Sequence, residues 1–294
     1  MVVSSSAAGG YDTLARLIAR HMASHMPGAG GMTATNLLYS NADKDGSVMG
    51  LVQNNTPFEP LFGTKEARYD PTKFNWLGSP SSETAMVLLW HTVPVNSLAD
   101  LRAREVTVGV SGANSTPAFF TRLLNATLGT KMKAINGYPG QNDVLLAMER
   151  RELDGHPSAF FSSVRATRPG WLRDGTARAV LQYGPEKLAQ LHDVPFAPDL
   201  LASEDDRLLM HAAFAPLALG RPFLVPPAVP AERVAALRKA FTATMTDPDF
   251  LAEADKMGLG LNAPRTGEQI QEVMERAYRS PPRVIDRLRQ LNVP

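Results

Sequence analysis

Apolar residues recur at Leu14, Leu17, Ile18 and Met22, the spacing of one helix face, which predicts a helix over 13–26 broken by Pro27-Gly28-Ala29-Gly30-Gly31. A second helical stretch covers 33–41 and ends in the turn Asp43-Lys44-Asp45-Gly46. Residues 47–52 read as a buried strand that runs into the polar cluster Gln53-Asn54-Asn55-Thr56. Asp70-Pro71 looks like a helix cap with proline at the first helical position. Strands are predicted over 74–78 and 86–90, the second lying in the longest apolar run, Ala85-Met86-Val87-Leu88-Leu89-Trp90. After Leu98 the pattern restarts: strand 106–110, helix 117–128 stopped by Gly129, strand 131–136, helix 141–152, a short apolar segment around Ala159-Phe160-Phe161, and strand 176–182. The tail is helical, with an amphipathic stretch over 231–245, a restart at Asp247-Pro248 that Gly258 ends, and a capping box at Thr266-Gly267-Glu268-Gln269. Segment 217–227 is Pro-rich and apolar and is expected to carry the chain back to the first half. No internal repeat of solenoid period is present. Strands alternating with helices predict an α/β fold with parallel sheets, whose ligands sit beyond the carboxyl ends of the strands.

Two junctions share one pattern of a short apolar run, a loop of small residues and an amphipathic helix. The first passes from Val2 through Ser4-Ser5-Ser6-Ala7-Ala8-Gly9-Gly10 to a helix opening near Asp12. The second passes from Val106-Thr107-Val108-Gly109-Val110 through Ser111-Gly112-Ala113-Asn114-Ser115-Thr116 to a helix with Pro117 in its first turn. Such a junction aims unpaired backbone N–H groups and the positive end of a helix dipole at one spot, which suits a carboxylate or phosphate. Small residues also simply close tight strand–helix turns, so neither junction alone decides the matter. The pair points to two lobes gripping one small acidic molecule. Tyr138-Pro139-Gly140-Gln141-Asn142 is a third small-residue loop before a helix, at the same end of the second sheet. A type II turn with glycine at its third position is the ordinary explanation for that loop.

Length and charge narrow the classes. A chain of 294 residues fits two domains and can bury a large core. The formal net charge is +1, from 30 Lys+Arg against 29 Asp+Glu, with no block of one sign, so nothing recommends nucleic acid. No segment approaches the ~20 continuous apolar residues of a membrane span. The chain has no cysteine, which removes disulfides, thiolate metal sites and cysteine nucleophiles. No signal peptide is visible, so the sequence reads either as cytoplasmic or as lacking its true N-terminus.

Gly109-Val110-Ser111-Gly112-Ala113 approximates the G-x-S-x-G nucleophile elbow on a strand–turn–helix. A hydrolase also needs a base histidine and an acid. Histidines stand at 21, 25, 91, 156, 192 and 211, and none of those downstream of Ser111 follows a clear strand with a convincing Asp partner. Pro27-Gly28-Ala29-Gly30-Gly31-Met32 matches neither phosphate-loop pattern and follows a helix. Glu149, Glu152 and Asp154 interleave with Arg150 and Arg151, which reads as a solvated face rather than a metal site. His156 reads as a packed or surface histidine beside the suspected cleft. No cofactor and no metal site is expected.

Six motifs in order carry a family resemblance: Gly9-Gly10-x-Asp12, Pro27-Gly28-Ala29-Gly30-Gly31, Asp45-Gly46, Gly109-x-x-Gly112-x-x-Ser115, Tyr138-x-Gly140 and Glu152-x-Asp154-Gly155. Over nearly the whole chain this order resembles the solute-receptor subunit of tripartite tricarboxylate transporters, the TctC-like or Bug proteins. The resemblance implies a type II periplasmic-binding-protein fold (Venus flytrap). Lobe one would comprise 1–97 plus 220–294 and lobe two 98–219. It implies a non-enzymatic, periplasmic, monomeric receptor that closes about a hinge on a small carboxylate or related polar solute and passes it to membrane permease subunits. Ala8, Gly9, Gly10 and Asp12 would hold one end of the ligand, largely through backbone and ordered water. Ser111, Gly112, Ala113, Asn114, Ser115 and Thr116, with Pro139, Gly140, Gln141 and Asn142, would hold the other. Gln53, Asn54 and Ser158 would discriminate among ligands, and Arg165 or Arg168 could reach the cleft. Three departures stand out. The chain begins at the first glycine loop without the usual leader and preceding strand. A Val-rich strand before Pro27 is missing from lobe one. Asn114 and Ala118 occupy positions where the family often has Gly and His. A serine hydrolase using Ser111 and a sensing domain of the same fold remain the alternatives. The solute stays open among di- and tricarboxylates, aromatic acids, amino acids and amides.

Overall fold

The structure, a computed structural model, describes residues 31–113, 115–256, 261 and 263–293. The first glycine loop, the helix predicted over 13–26, the segment before Pro27 where a strand is expected to be missing, Asn114 and Gly258 therefore lie outside the described residues.

The strands, in chain order, are β1 (Gly50–Leu51), β2 (Asn75–Ser79), β3 (Ala85–Trp90), β4 (Val106–Val110), β5 (Met132–Asn136), β6 (Gly155–Phe160), β7 (Ala177–Tyr183), β8 (Phe223–Val225) and β9 (Arg265–Thr266). The helices are α1 (Met32–Ser40), α2 (Glu59–Phe62), α3 (Leu98–Ala103), α4 (Thr116–Leu128), α5 (Gln141–Glu149), α6 (Phe161–Thr167), α7 (Glu204–Leu219), α8 (Ala231–Met245), α9 (Pro248–Lys256), α10 (Gly267–Tyr278) and α11 (Pro282–Asn292). They surround a four-stranded sheet of order β1-β8-β2-β9 and a five-stranded sheet of order β5-β4-β6-β3-β7.

The uniformly apolar run Ala85–Trp90 is buried along its whole length because β3 lies between β6 and β7, antiparallel to both. That pairing places 85–90 in the second sheet, so the chain changes sheets between Ser79 and Ala85 and not near Leu98, where the pattern restarts. The parallel expectation holds where a helix intervenes: β4 runs parallel to β5 across α4, and parallel to β6. The first sheet is antiparallel at every pairing among the described residues, since β8 and β9 return from far along the chain. The strand expected over 47–52 shrinks to Gly50–Leu51 at the sheet edge, with Leu51 57% exposed.

Local chemistry explains the ends. Ser115 caps α4, and Gly129 closes it in the left-handed region at φ 69°. Helix α5 stops at Glu149, short of the expected residue 152. There Arg151 enters the left-handed region at φ 61°, while Arg151 N–H and Glu152 N–H donate to Met148 O and Ala147 O, a Schellman closure without glycine. Asp154 is structural: its Oδ2 accepts from Thr107 N at 2.7 Å and Thr107 Oγ1 at 2.8 Å, pinning β4 beside β6. The Thr266–Gln269 capping box forms in full at the start of α10.

Helix α7 was not legible as a helix. Residues 217–227 are not one extended crossover, because α7 continues to Leu219 through Pro216. Pro216 lacks an N–H and would ordinarily break the helix. Burial overrides it, since nearly every residue from Leu209 to Leu219 is buried. Helix α11 also crosses the expected division. Its Val284 and Leu288 join the large core built on the second sheet, and Arg122 Nε donates to Leu291 O at 2.6 Å.

The two strand-to-strand crossings are bonded to each other. Arg221 N–H donates to Ser79 Oγ at 2.9 Å, and Glu83 N–H donates to Leu217 O at 2.9 Å. At Gly220, φ is 54° and a Cβ would stand 1.8 Å from Ser81 O, so no side chain fits where the crossings touch.

Candidate functional site

Where β4 and β6 approach the loop that follows β1, a cavity of about 390 Å³ opens. One wall is Gln53, Asn54 and Asn55, just beyond β1 of the first sheet. The other comes from the second sheet and its helices: Gly109, Val110 and Ser111 at the end of β4, Thr116 and Pro117 at the start of α4, Gly140, Gln141 and Val144 at α5, and His156, Ser158 and Phe160 on β6. Ser163 of α6, with Pro216 and Leu217 of α7, completes the lining. This volume suits a small metabolite.

Strand periodicity selects the β6 residues. His156, Ser158 and Phe160 share one face at a spacing of two, and Gly155, Pro157 and Ala159 take the other. The floor is buried, formed by Gly109, Val110, Val144, His156 and Ser158, while Gln53, Ser111 and Thr116 are exposed at the rim. Gly109 is required there, since a Cβ would meet Leu153 Cδ1 at 2.6 Å and the Val144 methyls at 2.8 and 2.9 Å.

The two helix starts differ as anion sites. At α4, Ser115 Oγ accepts from Ala118 N–H at 3.5 Å and Pro117 has no N–H, so Thr116 N–H alone is left over in the first turn among the described residues. At α5, the N-cap Gly140 has no side chain, and the N–H groups of Gln141, Asn142 and Asp143 make no bond among the described residues. Gln141 Oε1 accepts from Phe160 N–H at 3.1 Å, tying α5 to the end of β6. The better donor cluster therefore belongs to the third loop, which sequence reading treated as an ordinary turn with a binding alternative.

The cavity gathers Gln53, Asn54, Ser111, Thr116, Gly140, Gln141 and Ser158 from the expected ligand contacts. Gly112, Ala113, Ser115, Pro139 and Asn142 are not part of its lining. Ser115 spends its hydroxyl on the α4 cap and on Gly112 O at 2.6 Å, while Ala113 O is taken by Arg122 Nη1 at 2.8 Å. Ala8, Gly9, Gly10, Asp12 and Asn114 lie outside the described residues. Arg165 and Arg168 do not reach this cavity. They border a separate groove with Phe161 and Leu172, where Arg168 pairs with Glu149 at 2.9 Å and covers Trp171. Sequence reading missed Asn55, Phe160 and the α7 residues, and read His156 as merely packed or exposed.

No lining residue among those described carries a formal charge at neutral pH. His156 is 3% exposed, and burial drops its pKa to about 3, so the imidazole stays neutral. Its Nδ1 accepts from Ser158 N–H at 3.0 Å. That bond opposes a catalytic triad with Ser111, where Nδ1 would instead carry a proton held by a carboxylate. Tyr183 OH donates to Pro157 O at 2.8 Å from the neighbouring core, fixing the strand at this point, and burial pushes the phenol above its ordinary range. Among the described residues there is no group of three or more His, Asp or Glu able to hold a metal, and no helix long and apolar enough to cross a membrane.

Behind the cavity, Glu83 is buried beside the crossings. Ser162 Oγ donates to its Oε2 at 2.7 Å and Arg221 Nη1 approaches its Oε1 at 3.5 Å. Burial outweighs both and holds the carboxyl above its ordinary pKa.

No family model matches the sequence, and no curated protein does. Solved structures do match. The chain is similar to a TctC solute binding protein from Polaromonas, at 17% identity over 97% of this chain and 94% of that one, with a TM-score of 0.67. It is similar to the periplasmic binding protein BugD, at 16% identity over 98% and 95%, with a TM-score of 0.60. It is also similar to MatC from Rhodopseudomonas palustris, solved with bound malate, at 19% identity over 99% and 97%, with a TM-score of 0.59. The α/β fold with its two sheets is that of these periplasmic binding proteins.

Proposed function

We propose that this chain, built on the fold of the TctC and Bug periplasmic binding proteins, is an extracytoplasmic receptor for a small carboxylate or related polar solute. The lobes are the parts of the chain on either side of the paired crossings at 79–85 and 219–223. The ligand bridges them and stabilises the closed form by the contacts it gains there. Delivery to permease subunits of the tripartite tricarboxylate type is the cellular role, with the receptor acting outside the cytoplasm as a single copy.

The observation that carries this reading is the cavity itself. It is lined from both sheets, it is free of charged side chains among the described residues, and it is edged by the unpaired N–H groups at the start of α5. An anion there is met by dipoles and water, which holds it without a salt bridge and releases it readily. The glycine loop at Ala8, Gly9, Gly10 and Asp12 is assigned to the opposite end of the ligand on the motif resemblance. MatC, with malate bound, supports a small organic acid as the solute class.

Thermal unfolding against a panel of small acids and their neutral analogues tests the reading. A ligand at ~100 times its dissociation constant adds roughly 2.7 kcal/mol, which raises the midpoint by about 5–10 °C for a protein of this size. A cooperative transition that no acid moves would overturn it. Ser111→Ala separates the hydrolase: it abolishes turnover in an esterase and only adjusts affinity in a receptor.

A further inference from the structure

His156 is the only lining residue among those described whose ring can titrate, and it lies in the buried floor. Its Nδ1 is occupied as an acceptor by Ser158 N–H at 3.0 Å. A nitrogen that accepts cannot also bear the proton, so the neutral ring carries its hydrogen on Nε2. Nε2 makes no hydrogen bond among the described residues. The ring is 3% exposed and its Nδ1 is bonded within its own strand, so packing and that bond set its orientation. The result is a fixed, uncharged donor in an otherwise uncharged cavity floor.

Resting on the receptor reading, we infer that His156 Nε2–H contacts the ligand and selects acids whose far end presents an acceptor oxygen. A second carboxylate, a hydroxyl or a carbonyl satisfies it. An alkyl end leaves the buried donor unpaired, and an ammonium end sets donor against donor in a floor with no carboxylate among the described residues. The α5 helix start then meets one carboxylate, and His156 reads the part of the ligand beyond it.

The test measures calorimetric affinities of wild type, His156→Phe and His156→Gln. The probes are the dicarboxylates from malonate to adipate, each with the monocarboxylate and ω-amino acid of the same chain length. Wild type is expected to prefer the best diacid over its matched partners by about tenfold or more, the scale of one hydrogen bond to a charged acceptor. His156→Phe keeps an aromatic ring without a donor and is expected to shrink that preference to within about threefold, while His156→Gln, which retains an N–H, restores part of it. Nitrogen-15 shifts of the ring identify the Nε2–H tautomer and should move when the diacid binds. If wild type binds acids but the preference is absent, or survives unchanged in His156→Phe, the inference fails and the receptor reading stands. If wild type binds none of the acids, both fail together.

Discussion

Acidification should cost this fold stability through His156, in a window set by one ring. Burial is the cause of its depressed pKa, and no charged group contributes. In the folded protein the ring stays neutral down to about pH 3, whereas in the unfolded chain it protonates below its ordinary 6.5. The unfolded state therefore binds the extra proton, so stability is fully present above 6.5 and is lost as pH falls. Integrating from pH 7.5 to pH 5 at ~1.36 kcal/mol per unit gives a loss of about 2 kcal/mol from this residue. Stopping at pH 5 keeps Asp45, Asp100, Asp174 and Asp205, held below the ordinary carboxylate value by their hydrogen bonds, out of the measurement. His211, also shifted down by burial, adds in the same direction, and Glu83, shifted up, acts in the opposite one. The decisive quantity is consequently the difference between wild type and His156→Gln. Urea unfolding at pH 7.5, 6.5 and 5, followed through the buried Trp76, Trp90 and Trp171, provides it. The wild type should lose about 2 kcal/mol more than the variant across this range. Parallel losses in the two proteins would refute a buried neutral imidazole, and with it the fixed donor.

Three further outcomes are expected. Gly109→Ala places a methyl under 3 Å from Leu153 and Val144 in the cavity floor, and should lower stability by about 1–3 kcal/mol in urea titrations; no change would mean that these side chains swing aside freely. Glu83→Gln keeps an oxygen for Ser162 Oγ but removes a charge that burial disfavours. Because the wild-type carboxyl is shifted up, its stabilising share is present below the ordinary 4.5 and is lost as pH rises through the raised value, so the variant should gain on wild type as pH rises from there. Asp143→Asn removes the acidic side chain from the first turn of α5, whose carboxylate lies close to the lining residue Gly140, and should tighten binding of an anionic solute about two- to fivefold at low ionic strength, less in salt.

What was legible from sequence follows from how local each signal is. The α10 capping box, the Gly129 stop and the strand over 106–110 are decided by a few adjacent residues, and they formed as read. The order of strands was not local. β3 has the same apolar pattern whether it serves the first sheet or the second, and its place is settled by pairing with β6 and β7, far along the chain. Helix α7 went unread, because its course through Pro216 is decided by the burial of 209–219 and not by adjacent residues. Within the site, the loops at 111–116 and 138–142 both reach the cavity, yet their donors could not be counted from composition: Ser115 and Arg122 consume groups of the loop 111–116. His156 escaped because a lone histidine in a strand has no spacing to declare it. Its alternation with Ser158 and Phe160 was the available signal.

The absence of charge from the described cavity lining is a matter of where the neighbouring arginines are tied. Arg168 answers Glu149 and stacks on Trp171, Arg122 binds two carbonyls, and Arg221 sits at the crossings with Ser81 and Glu83. Each is committed to holding the frame. Freeing one to meet an anion would cost a bond that fixes the α4 loop, the α5–α6 surface or the paired crossings. The crossings show why this division matters. Arg221 bonds one crossing segment to Ser79, Ser81 and Glu83 of the other, so the two segments are tied side by side. On the receptor reading proposed above, ligand contacts need only tip a balance between open and closed forms. Weak neutral donors at the start of α5 and on His156 can tip it and still let the solute go, whereas a buried salt bridge to the ligand would favour retention over delivery.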